Sequence, residues 1–209
     1  MLKLYAIPIS LYCAKLRIVL RHKKLQWEEV PPPGGYGSDE YKSIVPAGNL
    51  PALEHDGLII GDSEAIAEYL DELFPEPAML SGSAEDRAKI RERSRFHDTR
   101  LEPSVRALFV HIGKSREKDE LLAKQWLILR ERLVQVEPLL PQKMGELTLG
   151  DCGFPVTCTW ISELAALFDL PDPLNPKMRR YLQQLGNFEA VSNEIADYRP
   201  RLAQWISKQ

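Results

Sequence analysis

The residue pattern changes near position 80, and this change constrains the fold of the 209-residue chain more than any other feature. Before it, short alternating apolar runs typical of strands are interleaved with runs at helical spacing, and prolines and glycines separate them. After it, only helical spacing occurs. The sequence therefore predicts a small α/β domain over residues 1–78, a linker near residues 79–83, and an all-helical domain over residues 84–209.

The pattern before position 80 predicts seven elements in the order β-α-β-α-β-β-α. Ser10 is placed to cap the first helix, and Asp56-Gly57 between two short apolar runs is a hairpin signal. Asp62 and Ser63 precede the last helix of this half. The expected ranges are 2–7, 10–23, 27–30, 38–45, 51–54, 58–60 and 62–73.

The pattern after position 80 predicts five helices. Pro103 lies inside the first of them and predicts a kink or a break there. The third is apolar on all sides, which is typical of a helix buried at the centre of a domain. The expected ranges are 83–114, 118–140, 154–167, 175–185 and 188–196.

The net charge of the chain and the length of its apolar runs exclude several classes of function. The chain has 27 Lys and Arg against 30 Asp and Glu, a formal charge of −3, whereas a dedicated nucleic-acid binder needs a basic face. No apolar run approaches the roughly 20 residues of a membrane span, and the N-terminus lacks the pattern of a secretory signal. We therefore expect a cytoplasmic protein with neither a nucleic-acid nor a membrane partner.

The three cysteines and four histidines are scattered along the chain. Three cysteines do not make a disulfide framework, and this cysteine usage is typical of a reducing cytosol. No group of Cys and His has the spacing of a zinc site. We therefore expect no metal.

The first candidate motif is Ser10-Leu11-Tyr12-Cys13, between the first strand and the first helix. A helix N-terminus has free N–H groups and a partial positive charge, so a hydroxyl or thiol there can hold an anion. The spacing is that of a Cys-x-x-Cys redox motif with Ser in the first place, so no disulfide can cycle within it. Taken alone, the motif also fits a plain helix cap beside a buried cysteine.

Two further motifs surround Pro51 and Ser63. A cis Leu50–Pro51 bond would leave the backbone N–H and C=O of Leu50 free to pair with an extended peptide. Asp62 and Ser63 at a helix start suit the ammonium and the carboxylate of an amino-acid head group. Taken alone, these motifs also fit an ordinary loop and an ordinary helix cap.

Together, these motifs in this order of elements resemble the glutathione S-transferase family over essentially the whole chain. The resemblance implies a thioredoxin-like domain that binds glutathione at residues 1–78, followed by an all-α domain at residues 84–209 that contributes the electrophile pocket. A third motif is similar to the family's capping box before a buried helix. The pieces that carry the resemblance are Asn49-Leu50-Pro51-Ala52-Leu53, Asp62-Ser63-Glu64-Ala65-Ile66-Ala67-Glu68-Tyr69-Leu70 and Thr148-Leu149-Gly150-Asp151.

The resemblance implies a role for each motif residue. Ser10 matches the serine of the serine-type classes, zeta- and theta-like, and would hold the glutathione thiolate. Leu50, before a cis Pro51, would pair its backbone with the cysteinyl part of glutathione. Ser63 would hold the γ-glutamyl carboxylate, and Asp62, where many members have Glu or Gln, would lie near the γ-glutamyl amine.

Four other residues enter this comparison. Asn49 would add a polar contact near the glycyl or cysteinyl end, and Tyr36 is a further candidate for the glycyl carboxylate. Tyr5, in the first strand, competes with Ser10 for the thiolate, because tyrosine-type classes use a tyrosine near this position. Cys13 matches the second cysteine of the redox motif and is interpreted as a packing residue.

The electrophile is expected between the two domains, over the helix that starts at Ser83. His97 and Arg100 are candidates for binding an acidic substrate. Each expected lining residue also fits a surface or dimer contact. The residues expected to line the pocket are Phe96, His97, Arg100, Val105 and Arg106, with Leu11 and Tyr12 at the lip of the first helix.

The leading hypothesis is a glutathione transferase, with glutathione as co-substrate and a small electrophile as the second substrate. A zeta-type isomerase or a dehalogenase is a variant, although the motif at Ser10 lacks the fuller Ser-Ser-Cys run of zeta enzymes. A non-enzymatic binding or regulatory protein on this fold is a third hypothesis; it would be expected to have lost Ser10, Pro51 or Ser63. A thioredoxin-type oxidoreductase fails because Ser10 replaces the attacking cysteine. A homodimer is expected, with the helix from Ser83 at its seam.

Overall fold

The structure is a computed structural model that describes residues 1–114 and 119–208. The first half forms a four-stranded sheet with three helices, in the predicted order, and its thioredoxin-like fold class is confirmed. Its elements are β1 (Leu2–Tyr5), α1 (Leu11–His22), β2 (Trp27–Val30), α2 (Asp39–Lys42), β3 (Ala52–His55), β4 (Leu58–Ile60) and α3 (Ser63–Leu73).

The sheet has the strand order β2-β1-β3-β4. Strand β1 runs parallel to β2 and antiparallel to β3, and β3 and β4 form the predicted hairpin. Asp56 and Gly57 at its turn both have positive φ, 49° and 86°, as a two-residue type I′ turn requires. Strand β1 ends at Tyr5 rather than Ile7, because Pro8 has no N–H with which to extend the ladder.

The second half is helical and begins after Ser83, whose side chain forms a capping box with Asp86. The expected helix start at Lys118 lies outside the described residues, and no strand occurs in the part of this half that the structure describes. The elements are α4 (Ala84–Phe96), a π-helical turn (His97–Leu101), α5 (Glu102–Arg106), a 3-10 helix (Ala107–His111), α6 (Glu120–Val136), 3-10 turns at Glu137–Leu139 and Leu149–Asp151, α7 (Phe154–Leu167), α8 (Pro176–Leu185) and α9 (Glu189–Ile206).

The break predicted at Pro103 takes the form of a π-helical turn. The N–H of Glu102 donates to the carbonyl of His97, five residues back. Pro103 has no N–H, and its ring crowds the carbonyl four residues earlier, so a wider turn just before it relieves the clash. The helical path ends at His111 rather than at Lys114.

The length predicted for the last helix is wrong. Helix α9 does not end at residue 196 but continues through Pro200 to Ile206. Tyr198 and Leu202 on this extension are fully buried. Their burial outweighs the one helical hydrogen bond that Pro200 removes, so the helix continues past the proline.

The apolar helix predicted at residues 154–167 is confirmed as α7, and Trp160 at its middle is fully buried. Thr148 and Asp151 form the predicted capping box, which closes the short 3-10 turn ahead of α7. Asp151 also accepts hydrogen bonds from Arg93 at 3.1 Å and from Tyr181 at 2.5 Å. The box therefore ties α4 and α8 to the start of α7.

Helix α1 is the element at the boundary between the two halves. It packs against α3 on its own side and against α7 and α9 on the other. Lys15 and Arg17 are buried there together with the apolar residues of the helix. Within residues 1–114 and 119–208, every helix is too short or too polar to cross a membrane.

Candidate functional site

A cavity of about 620 Å³ lies between the two halves, at the N-terminal ends of α1 and α3. Five predicted site residues line it together: Ser10, Asn49, Leu50, Asp62 and Ser63. The facing wall belongs to the helical half and consists of the segment from α4 to the 3-10 helix, with contributions from α7 and α9. The cavity therefore brings the sequence motifs of the first half against side chains of the second.

Ser10 caps helix α1 from an extended conformation, with φ −68° and ψ 127°. Its Oγ accepts a hydrogen bond from the N–H of Cys13 at 3.3 Å. Since that bond uses an oxygen lone pair, the hydroxyl hydrogen stays available for an anion in the cavity. The partial positive charge at the start of α1 acts on the same point.

Leu50 presents its backbone to the cavity, and the bond from Leu50 to Pro51 is cis, as the sequence allows. Among the described residues, no hydrogen bond uses the N–H or C=O of Leu50. The turn before it is held by the Tyr41 hydroxyl, which donates to the carbonyl of Asn49 at 2.9 Å. This leaves a donor and an acceptor side by side, ready for the backbone of an extended peptide.

Asn49 joins this turn to the start of α3, because its Nδ2 donates to the carbonyl of Gly61. Its Oδ1 is buried, and no donor among the described residues reaches it. A buried amide oxygen without a donor is rare in folded proteins. Asn49 lines the cavity, but this oxygen is itself buried and does not reach the cavity surface.

Asp62 and Ser63 begin helix α3. Oδ1 of Asp62 accepts from the N–H groups of Glu64 at 3.0 Å and Ala65 at 2.9 Å, so the side chain caps the helix as predicted. Ser63 is 8% exposed and directs its residual surface to the cavity. A helix start with a hydroxyl and a carboxylate suits a ligand that carries both an anion and a cation.

The two alternatives to Ser10 lie away from the cavity lining. The Tyr5 hydroxyl donates to Glu54 at 2.8 Å, and burial together with this bond raises the pKa of the phenol. Cys13 is fully buried, and burial raises the pKa of its thiol in spite of the nearby Ser10. Tyr36, by contrast, lines the cavity and is 65% exposed.

The wall expected for the electrophile is only partly correct. Arg106, Leu11 and Tyr12 line the cavity, but Phe96, His97, Arg100 and Val105 do not. His97 instead faces α7, where a ring nitrogen lies 2.8 Å from Thr157 Oγ1. The residues of this segment that do face the cavity are Arg95, Asp98, Thr99, Glu102, Pro103, Arg106 and Phe109.

Three aromatic residues that the sequence analysis missed form the floor of this part of the cavity: Phe109, Trp160 and Trp205. The rings of Phe109 and Trp160 are 4.4 Å apart, and those of Trp160 and Trp205 are 5.6 Å apart, between centroids. Phe109 was within the predicted helix, but helical spacing alone did not assign its face. No signal marked the two tryptophans, because Trp160 lies on α7, which is apolar on every side, and Trp205 lies beyond the predicted end of the last helix.

A polar group of Tyr12, Glu102 and Arg106 lines the same cavity. Glu102 is buried and accepts hydrogen bonds from Tyr12 at 3.0 Å and from Arg106. The Arg106 guanidinium lies 5.7 Å from the centre of the Tyr12 ring, over its face. The cavity therefore combines an aromatic surface with an oriented guanidinium.

Beneath the cavity, a buried ammonium links α1 to both α3 and the π-helical turn. Nζ of Lys15, which is 1% exposed, donates to Glu64 at 2.6 Å, to Asp98 at 2.8 Å and to Ser94 at 3.2 Å. Burial alone would raise the pKa of Asp98, but hydrogen bonding from His97 and the charge of Lys15 lower it to about 2. A lysine within the mostly apolar run of α1 was the signal that could have revealed this cluster.

No group of three or more His, Cys, Asp or Glu in residues 1–114 and 119–208 is arranged to hold a metal ion. The polar groups around the cavity are hydroxyls, amides, guanidiniums and paired carboxylates. They suit an organic ligand with peptide and carboxylate groups.

Known proteins are similar to this chain in sequence and in fold. A family model described as "Glutathione S-transferase, N-terminal domain" matches residues 4–78. The chain is 26% identical over 207 residues to "Glutathione S-transferase Z2" of Arabidopsis thaliana, across 95% of this chain and 92% of that protein. It is 30% identical over 191 residues to "Probable maleylacetoacetate isomerase 1" of Drosophila melanogaster, across 85% of this chain and 75% of that protein.

A solved structure described as the holo form of maleyl pyruvate isomerase, a bacterial zeta-class glutathione S-transferase, has the same architecture. Its TM-score is 0.74 at 25% sequence identity. The match covers 92% of this chain and 95% of that chain. The likeness therefore extends over both halves of the fold.

Proposed function

Because this chain belongs to the glutathione S-transferase family, we propose that it binds glutathione in the cavity between its two halves and stabilises the thiolate for attack on a small electrophile. Members of this family use glutathione as co-substrate, and no metal takes part in the proposed reaction. Residues 1–78 would bind glutathione, and residues 84–209 would contribute the electrophile pocket.

The observation that carries this proposal is the position of Ser10, whose hydroxyl caps α1 in the cavity that Leu50 and Ser63 also line. With its sulfur at Ser10, glutathione would pair its cysteinyl part with the backbone of Leu50. The γ-glutamyl carboxylate accepts from Ser63 at the positive end of α3, and the γ-glutamyl ammonium lies near Asp62. Asn49, which lines the same cavity, would add a polar contact near the glycyl or cysteinyl end.

The chemistry follows from the hydroxyl of Ser10 and the partial positive charge at the start of α1. A free thiol has a pKa near 8.5, so only about a few per cent is ionised at neutral pH. The Ser10 hydroxyl and the start of α1 both favour the anion and lower that pKa. The thiolate sulfur then forms a bond to an electrophilic carbon, and the leaving group departs with its electron pair. The protein itself forms no covalent bond.

A glutathione-dependent isomerase is the second candidate, and two similar proteins described as isomerases support it. In that reaction the thiolate adds to a conjugated double bond, the resulting single bond rotates, and the thiolate leaves again. Glutathione is then not consumed. Arg106 beside the aromatic floor would suit a planar substrate with an acidic group.

The family is typically dimeric, and we propose a homodimer with α4 at its seam in a cytoplasmic protein. Helix α4 is rich in charged residues, so this seam would be polar.

Conjugation of glutathione to chlorodinitrobenzene tests the proposal. We expect wild type to form the thioether with release of chloride, and Ser10→Ala to reduce kcat/KM by roughly 100-fold, as loss of one donor to a reacting anion does elsewhere. Ser43→Ala, an exposed serine of the same half, is the matched control and should react as wild type does. Absence of conjugation, with turnover of a cis-configured unsaturated diacid and no loss of glutathione, would favour the isomerase. Absence of both activities would favour a non-enzymatic protein.

A further inference from the structure

The loop from Ile7 to Ser10 connects β1 to α1, and side chains hold its three carbonyls ahead of Ser10. Nη2 of Arg17 donates to the carbonyl of Ile7 at 3.1 Å, and Nη1 donates to that of Pro8 at 3.3 Å. The Tyr198 hydroxyl donates to the carbonyl of Ile9 at 2.5 Å. The loop immediately before Ser10 is therefore held from outside rather than by a strand ladder.

Arg17 is itself fixed in position. It is 2% exposed, and two of its nitrogens donate to Glu29, at 2.8 Å from Nε and at 2.6 Å from Nη2. Nη1 also lies 3.3 Å from Glu194 of α9. Because a buried guanidinium requires such partners, its donors toward the loop have little freedom to move.

Tyr198 lies four residues after Glu194, on the same face of α9. Its side chain is fully buried, and its hydroxyl also accepts a hydrogen bond from Trp160 Nε1 at 2.6 Å. The Trp160 ring belongs to the floor of the cavity. One chain of hydrogen bonds therefore runs from the cavity floor through Tyr198 to the residue that precedes Ser10.

We propose that Tyr198 and Arg17 form a clamp on the loop from Ile7 to Ser10, and that Tyr198 is a positioning residue through which the helical half sets the Ser10 hydroxyl. This rests on the proposed function of Ser10. Within the loop, the clamp contacts only backbone carbonyls, and neither Tyr198 nor Arg17 lines the cavity, so the clamp orients Ser10 without contacting a substrate. A catalytic group displaced by about 1 Å can lose about 100-fold in rate, so a lost clamp bond has a functional consequence.

The first test measures the loop directly, without glutathione. The amide of Cys13 donates to Ser10 Oγ, so its hydrogen exchange reports the position of that oxygen. In Tyr198→Phe we expect this amide to exchange roughly tenfold faster while the amide of Leu129, inside α6, keeps its wild-type rate. Unchanged exchange at Cys13 in Tyr198→Phe would overturn the clamp.

Tyr181→Phe is the matched control. Tyr181 is also a buried tyrosine of the helical half. Its hydroxyl donates to Asp151 at 2.5 Å and not to the loop from Ile7 to Ser10. We expect this variant to lose stability but to keep the wild-type exchange at Cys13. If amide exchange at Cys13 were equally faster in both variants, the loss of either buried hydroxyl would act only through overall stability. That result would overturn the clamp.

The second test measures the thiolate absorbance of bound glutathione against pH. We expect Tyr198→Phe to bind glutathione with a Kd within about twofold of wild type but to hold roughly tenfold less thiolate at neutral pH. If Ser10→Ala loses the thiolate and Tyr198→Phe does not, the clamp is not a positioning device. If Ser10→Ala keeps the thiolate, the proposed function fails, and the exchange at Cys13 alone decides whether the clamp exists.

Discussion

The Tyr198 hydroxyl donates a 2.5 Å hydrogen bond to the carbonyl of Ile9, across 189 residues of the chain. This bond joins the last helix to the loop that carries Ser10. Arg17 holds the two preceding carbonyls of the same loop. Residues from both halves of the fold therefore hold the loop that carries the serine proposed to hold the thiolate.

Ser63→Ala should weaken glutathione binding. The proposed hydrogen bond goes to a carboxylate, and such bonds contribute about 1.5–3 kcal/mol, so we expect KM for glutathione to rise roughly tenfold or more. The kcat should change little, because this contact is equally strong in ground and transition states. Steady-state kinetics over a range of glutathione concentrations checks both values. A loss confined to kcat would contradict the assignment.

Lys15→Met should destabilise the fold strongly. The change leaves the buried carboxylates of Glu64 and Asp98 without their shared cation, which typically costs about 3–5 kcal/mol. Urea unfolding gives the free energy. The exposed Lys89→Met is the matched control and should lie within about 0.5 kcal/mol of wild type. Equal stability of the two variants would mean that the buried cluster contributes nothing.

Stability should fall in acid through Asp98. Its pKa in the fold, about 2, lies below that of an unfolded carboxyl, so its ionised form stabilises the fold above pH ~4. That contribution, roughly 2 kcal/mol, is lost as the pH falls toward about 2. The difference in unfolding free energy between wild type and Asp98→Asn should therefore shrink from neutral pH to about pH 3. A difference that stays constant over this range would refute the role of the charge.

The cysteines should be inert in the native state. Cys13, Cys152 and Cys158 are buried, and burial raises the pKa of each thiol. We expect a thiol reagent at neutral pH to label them only after unfolding, and Cys13→Ala to keep the conjugating activity. Rapid labelling of Cys13 in the folded protein, with loss of activity, would make it the thiolate-holding position instead.

Local signals were enough for much of the fold. The turn at Asp56-Gly57 and the capping box of Thr148 and Asp151 depend only on residues a few positions apart, and both occur where the sequence predicted them. The motif at Ser10 and the pair at Asp62 depend on helix starts, which sequence also marks. These predictions succeeded because the interactions that decide them are short in range.

The cavity wall that the helical half forms could not be predicted in the same way. Helix α4 is charged on most sides, so its pattern does not mark a buried face, and the π-helical turn changes the register before Pro103. His97 consequently packs against α7 instead of lining the cavity. Trp160 lies in a helix without a polar side, and the bond from Tyr198 to Ile9 joins the two ends of the chain. Such contacts depend on tertiary packing.

The most direct measurement is a calorimetric titration of glutathione into wild type and Ser10→Ala, in buffers with different heats of ionisation. The dependence of the measured heat on the buffer gives the number of protons released on binding. If Ser10 holds a thiolate, wild type releases about one proton near neutral pH, and Ser10→Ala binds glutathione with little release. Equal release by both proteins, or binding to wild type without release, would contradict the central role of Ser10.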